Sequence, residues 1–348
     1  MIAKRTLLQI HRWSGLVIAA FLLVQSVTGA MLVFRNELAQ LPDPSGMVRH
    51  SATGQAPLSR IVASVRAVYP DFELQRIVFP QIPRATYFVH LVNAQGVVRY
   101  ASVDPGSGEV LRSGGIWRFP TEAALLIHYQ LMAGRVGLVV ILCLGVSLTV
   151  MVVTGAAYWW PRSGRWRRSL EINWRMPGRV VLRQCHRALG PLALLVLGTT
   201  AVTGVVLAAG LLIGGGDARS TSPSGQLPVA DTNIDPAFAL ARTRFPDRGV
   251  RDLRMPAPGR FNLFFWAPER QPEAVHGVRI ELQSLKVAAV VRAEADNSLS
   301  TFVLPIHTGE SGSWAGRLII LAGGLALALL AVTGPLMWLQ ARPRGRQS

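Results

Sequence analysis

Cysteine is almost missing from this 348-residue chain: there are two, Cys143 and Cys185. Neither lies in the long stretches 35–135 or 214–317, so those segments carry no disulfide, and no CxxC is present. Thiol redox chemistry and iron–sulfur ligation are thereby excluded. Acidic residues are also scarce, 19 against 36 Lys and Arg, which leaves a net charge of +17. Four runs lack charge of either sign altogether: 13–34, 136–161, 188–216 and 318–341, of 22, 26, 29 and 24 residues. A helix needs about 20 apolar residues to cross roughly 30 Å of hydrocarbon. The chain is therefore expected to cross a membrane four times, and a soluble enzyme, a secreted disulfide scaffold and a disordered basic tail are excluded.

What charge there is has a strong bias. Segments 1–13, 162–187 and 340–348 hold 14 Lys and Arg against one acid, Glu171, whereas 35–135 and 214–317 are nearly balanced. Cations next to the same ends of all four spans place both termini and the middle loop in the cytoplasm, and the two long segments outside. No recognition motif accompanies the arginines, so no nucleic-acid partner is expected; the lipid bilayer is the partner. The apolar run at the N-terminus is too long for a signal-peptide core and reads as a retained anchor.

The sequence repeats itself. HRWSG at 11–15 returns as HRALG at 186–190. His11 precedes Thr28-Gly29 by 17 residues, as His186 precedes Thr203-Gly204. His128 precedes Thr154-Gly155 by 26, as His307 precedes Thr333-Gly334, and Gly137 and Gly316 each follow their histidine by nine. YPD at 69–71 matches FPD at 245–247, and VDPGSGEV at 103–110 matches IELQSLKV at 280–287. A unit of helix, outer domain and helix is thus expected twice. In the first outer segment, LSRIVASVRAVYP reads as a helix, LQRIVFP, ATYFVHLV and VVRYASV read as strands, and the turn at Asp104, Pro105, Gly106 and Gly108 leads to a short last strand. STSPSGQLP at 220–228 reads as a linker. Gly214-Gly215-Gly216 precedes no strand–helix unit and is not a phosphate loop.

The expected organisation is a first span over 1–35, an outer domain over 36–121, a second span over 122–161 and a basic loop over 162–185. A third span over 186–213, a second outer domain over 214–306, a fourth span over 307–340 and a tail over 341–348 complete it. Two crossings per unit return the chain to its starting side, so equivalent residues face each other across an axis normal to the membrane. His11 then faces His186 at the cytoplasmic border and His128 faces His307 at the outer one. A helix from His11 to Phe34 spans about 35 Å, so the pairs cannot share one metal. Two imidazoles approaching from opposite sides suit the axial positions of a haem iron. Zinc suits them poorly, since it wants three or four protein ligands; Cys185 offers a third beside His186, but His11 has no such neighbour. The expectation is two bis-histidine b-type haems, carrying electrons rather than activating oxygen. The competing reading of a histidine at a helix end is an interfacial or packing residue. Polar groups at membrane depth, four of them at duplicated positions, favour function. His50, His90 and His276 have no repeat partner and are expected to be surface or strand residues.

Thr28-Gly29 and Thr203-Gly204 are placed near the outer haem, and Thr154-Gly155 and Thr333-Gly334 near the cytoplasmic one. Their glycines allow either a macrocycle or another helix to come close. Arg12 and Arg187, and on the outer side Arg135 and Arg317, suit either haem propionates or plain interfacial anchoring. Trp13, Trp117, Trp159, Trp160, Trp314 and Trp338 form an aromatic belt, and Pro335 is expected to kink the last span. Tyr129 and Trp314, close to the outer histidines, are the candidates for lining an acceptor site; no catalytic residue proper is identified.

A helix opening on HRW.G, an outer domain with a VDP..GEV turn, and a helix with H…G…TG resemble the PepSY-associated transmembrane family, over about residues 5–340. The resemblance implies a four-span membrane α-helical bundle with two periplasmic α+β PepSY-like domains and an internal two-fold repeat, in a bacterial inner membrane. IELQSLKV lacks the Asp-Pro and Gly-Glu of the turn, which sets the second outer domain apart. Members of that family include inner-membrane ferric-siderophore reductases that hold two haems through histidines matching His11, His128, His186 and His307. The implied activity is a haem-dependent ferric-chelate reductase that passes electrons outward from an unidentified cytoplasmic or quinol donor to a ferric siderophore or other ferric chelate. Two alternatives remain beside it: a non-enzymatic PepSY sensor or protease regulator, and a quinol-linked b-type cytochrome.

Overall fold

The computed structural model describes residues 4–39, 41, 47–51, 54–161, 165–213, 233–296 and 298–341. The linker at 220–228, the triple glycine at 214–216 and the tail beyond residue 341 lie outside them. The chain divides into two compact units: residues 1–33, 124–214 and 302–348 in one, 34–123 and 215–301 in the other.

The first unit is a bundle of four helices long and apolar enough to cross a membrane. They are α1 (Lys4–Leu32), α5 (Gly134–Trp159), α7 (Gly178–Ile213) and α10 (Ser313–Ala341). Helix α1 packs on α5 and α10, and α7 packs on the same two, so α1 and α7 occupy opposite corners. The interior is thin and made of apolar and small side chains: Ile18 and Leu22 meet Leu144, and Ala193 and Leu197 meet Ala326. Many large apolar side chains, such as Val17, Leu192 and Leu195, are exposed, as a lipid-facing surface requires. Trp13 meets Trp338 edge to face at 6.4 Å, so the chain enters and leaves the bundle at the same end. Trp13, Trp160 and Trp314 are exposed, as is Trp117 in the other unit. Helix α10 continues through Pro335.

Two of the spans begin later than the sequence pattern indicates. His128 lies on a separate short helix, α4 (Pro120–Gln130), and His307 on another, α9 (Leu299–Thr308). Leu131, Met132 and Gly134 take positive φ between α4 and α5, as do Gly309 and Ser313 before α10. Each of these turns folds back onto a bare glycine. A Cβ on Gly137 would fall 1.7 Å from the Gln130 carbonyl oxygen, and one on Gly316 would fall 2.1 Å from that of Gly309. The third span, by contrast, begins earlier, at Gly178, and within the basic loop Trp166–Leu170 is a short helix, α6.

The second unit opens with a single helical turn, α2 (Arg35–Leu38), and it corrects the expectation of two outer domains with a sheet each. Strands β1 (Phe72–Val78), β2 (Tyr87–Asn93), β3 (Val98–Val103) and β4 (Val110–Gly114) come from the first outer segment. Strands β5 (Val250–Arg254), β6 (Arg260–Trp266), β7 (Val275–Glu281) and β8 (Lys286–Val291) come from the second. All eight form one antiparallel sheet in the order β4-β3-β2-β1-β5-β6-β7-β8. Its seam is the pairing of β1 with β5, Arg76 opposite Arg254 and Val78 opposite Asp252. Alternate strand residues point to one face: Ile77, Val89 and Leu253, with Phe261, Leu263 and Phe265 along β6, are buried there. They share a core with the apolar sides of α3 (Leu58–Val68) and α8 (Ile234–Arg242). Ser59, at the start of α3, donates its backbone N–H at 3.3 Å and its hydroxyl to Asp235 at the start of α8, which ties the two helices together.

At the seam, the fully buried Asp252 accepts from Arg76 at 2.6 Å and from Arg254 at 2.8 Å. Burial raises the Asp252 carboxyl, but Arg76 and Arg254 outweigh that and hold it below the usual range. His90 on β2 lies edge-on to Phe88 and Tyr100; burial, then the charges of Arg76, Arg35 and Arg254, lower its pKa to about 3. His276 on β7 is buried against Phe245 with both ring nitrogens engaged, by Glu269 and by the Ala293 N–H. His50 is exposed. The turn legible as VDPGSGEV is organised by Asp104, which accepts from the backbone of Gly106 at 2.8 Å and of Ser107 and Ser51 at 3.0 Å. In the second half Leu285 takes a positive φ of 52°, where the first has Gly108 at 72°.

Candidate functional site: two pairs of histidines

Four histidines enter the bundle, and each meets one of the Thr-Gly pairs. Nδ1 of His128 lies 3.1 Å from Thr28 Oγ1, and Nδ1 of His307 lies 2.9 Å from Thr203 Oγ1. At the end where the chain enters, Nδ1 of His186 lies 2.7 Å from Thr333 Oγ1. Nδ1 of His11 lies 3.1 Å from the Met151 carbonyl oxygen and 3.5 Å from Thr154 Oγ1. Each threonine stands on the helix facing its histidine, at the depth that the 17- and 26-residue spacings indicate.

The glycines beside the threonines lie against the rings, at Gly29 and Gly155 so closely that a side chain would crowd the imidazole, at Gly334 at an ordinary contact distance. A Cβ on Gly29 would fall 2.9 Å from Cε1 of His128, and one on Gly155 would fall 3.0 Å from Cε1 of His11. The corresponding distances are 3.3 Å from Gly204 to His307 and 3.7 Å from Gly334 to His186. It is thus an imidazole edge that lies over these glycines. The spacing of the sequence revealed that something approaches there; it did not reveal that it is the histidine itself.

The remaining ring nitrogens are the chemically available ones. The contacts to threonine and to the Met151 carbonyl all run through Nδ1, and backbone carbonyls also bond two of the rings, Gln25 at His128 and Thr200 at His307. The ring centres of His128 and His307 are 6.3 Å apart, with their planes inclined at 52°. Two imidazoles bound to one metal ion from opposite sides have ring centres about 6 Å apart, given metal–nitrogen bonds of about 2 Å and about 1 Å more to each ring centre. The pair therefore fits a single ion held between two nitrogens. Among the described residues no three His, Cys, Asp or Glu side chains converge to hold a metal ion. A haem iron, whose porphyrin fills the other four positions, is the group such a donor set suits.

The other candidates fall in several places. Arg12 and Arg187 are exposed; Arg12 lies over the Trp13 ring at 5.1 Å, and Arg187 donates to the Glu171 carbonyl at 3.0 Å. Arg317 donates from Nε at 2.9 Å and from Nη2 at 2.6 Å to the carbonyl of Val33, just past the end of α1. That use caps a helix end, a role the sequence pattern did not announce. Arg135 and Trp314 are exposed, and Tyr129 is half-buried beside His128. Cys143 is exposed and Cys185 partly so. The Met151 carbonyl was invisible to sequence reasoning, because any residue at that position supplies the same oxygen.

A family model described as "PepSY-associated TM region" matches residues 8–341 of the chain. No curated protein matches it.

Proposed function

The chain belongs to the PepSY-associated transmembrane family, and from that membership and its histidine geometry we propose a di-haem membrane oxidoreductase. One b-type haem would be held by His11 and His186, the other by His128 and His307. Each haem, held by two imidazoles, would supply one-electron transfer. The observation that carries this reading is the 6.3 Å separation of the His128 and His307 ring centres, each ring with its Nδ1 against a threonine hydroxyl.

The residues of the chain divide the work. The histidines would present Nε2 from different helices, and Gly29 and Gly155, less strictly Gly204, leave the rings room to do so. The apolar helices exclude water, which favours a buried macrocycle. Arg12 and Arg187, exposed beside the inner pair, suit propionate carboxylates through their forked donors. Arg135 is the outer counterpart, since Arg317 is engaged by Val33. The repeat, the periplasmic sheet and the cytoplasmic termini of the proposal rest on the duplicated spacings and the placement of the cations.

The substrate we propose is a ferric siderophore or similar ferric chelate outside the inner membrane, reduced by one electron drawn from a cytoplasmic or quinol donor. Hydroxamate and catecholate oxygens hold Fe(III) far better than Fe(II), so reduction releases the metal. Tyr129 and Trp314 are the candidates for meeting the chelate. The test is to reduce the purified protein, remove excess reductant anaerobically and add a ferric hydroxamate together with a ferrous-specific chromogenic chelator. Loss of the reduced haem band with growth of the ferrous colour supports the proposal. Oxidation by a quinone analogue but not by the chelate refutes the substrate, and a colourless protein refutes the haem.

A further inference from the structure

All four threonine hydroxyls make the same second contact. Thr28, Thr154 and Thr203 donate to the carbonyl four residues earlier at 2.7 Å, and Thr333 does so at 2.8 Å. A hydroxyl has one proton and two lone pairs. With the proton committed to the helix, the oxygen can only accept from the group it faces, which is Nδ1 of a histidine. Three of the rings also meet a backbone carbonyl, which can accept and never donate: Met151 lies 3.1 Å from Nδ1 of His11, and Gln25 and Thr200 bond His128 and His307.

We infer that the threonine of each Thr-Gly pair, helped at His11, His128 and His307 by the carbonyls of Met151, Gln25 and Thr200 and acting alone at His186, fixes its histidine as the Nδ1–H tautomer and so leaves the Nε2 lone pair for a metal. The threonines are positioning residues, and Gly29 and Gly155 beside two of them let the ring edge come close. The same outer bond, from the ligand's second nitrogen to a fixed acceptor, orients metal-bound histidines generally and raises their basicity. The purpose of the lock rests on the haem reading; the tautomer itself is a property of the chain without its cofactor.

The four positions differ in a way that makes the inference testable. His186 has Thr333 as its hydrogen-bond partner, at 2.7 Å, whereas His11 keeps the Met151 carbonyl whatever stands at 154. Ring-nitrogen NMR shifts of histidine-labelled protein, prepared from haem-depleted cells at a pH where imidazole is neutral, read the tautomer directly. The wild type is expected to show the Nδ1–H form at His186. Thr333→Val should lose it, Thr333→Ser should restore it, and Thr154→Val should leave His11 unchanged. In haem-loaded protein, Thr333→Val should shift the low-spin ferric EPR signal of one haem and leave the other in place. An Nε2–H tautomer at His186 in the wild type, or no change in Thr333→Val, overturns the inference. A colourless protein that nevertheless shows the Nδ1–H pattern refutes the haem reading and leaves the lock standing.

Discussion

At the scale of single residues, each of the four bundle histidines has a hydrogen-bond partner for Nδ1. A Cβ at Gly29 would sit 2.9 Å from the His128 ring, so Gly29→Ala must push that ring from its place. The expected outcome is loss of about half of the bound haem with the helical circular dichroism unchanged, measured by haem content per chain. His11, His128, His186, His307 and their Thr-Gly partners were legible because a charge-free run makes every polar residue conspicuous, and because each spacing occurs twice. Asp104 was legible as a turn residue, though its hold on Ser51 was not. Replacing it by Ala leaves several backbone donors without an acceptor and should cost about 1–3 kcal/mol, measured by denaturant unfolding.

At the scale of elements, the four spans were legible from composition, and the charge-free runs beginning at 136 and 318 come close to the starts of α5 and α10. The separate short helices before them were not legible, because each break depends on Gly137 or Gly316 letting the preceding turn fold back against it. Gly137→Ala would put a methyl group 1.7 Å from a carbonyl oxygen, so the turn and the His128 helix cannot both persist. The expected result is poor accumulation of folded protein, seen as aggregation in detergent gel filtration. The joining of the two outer segments at β1 and β5 was hidden for another reason: strand periodicity shows which face is buried and not which strand is the neighbour. Asp252, buried between Arg76 and Arg254, is central to that seam. Asp252→Ala leaves partly buried cations uncompensated and should destabilise the sheet by about 3–5 kcal/mol, measured by thermal unfolding.

At the scale of the whole molecule, the sheet unit should be acid-sensitive above the range where carboxylates titrate. His90 has its pKa lowered to about 3 in the fold, against about 6.5 when unfolded. The unfolded chain therefore binds this proton first, and the stability owed to neutral His90 is complete above about pH 6.5 and falls as the pH drops towards 3. Thermal unfolding followed from about pH 7 to about pH 4.5 should show a falling midpoint, and His90→Phe should flatten that fall.

Whether each pair of histidines holds one haem is read from haem content per chain, by the pyridine haemochrome method, on protein purified from haem-replete cells, in the wild type and in His128→Ala. Two haems per wild-type chain, with a low-spin reduced spectrum, and one in the variant are expected. A wild-type chain without haem, or a variant that keeps both, would contradict this assignment.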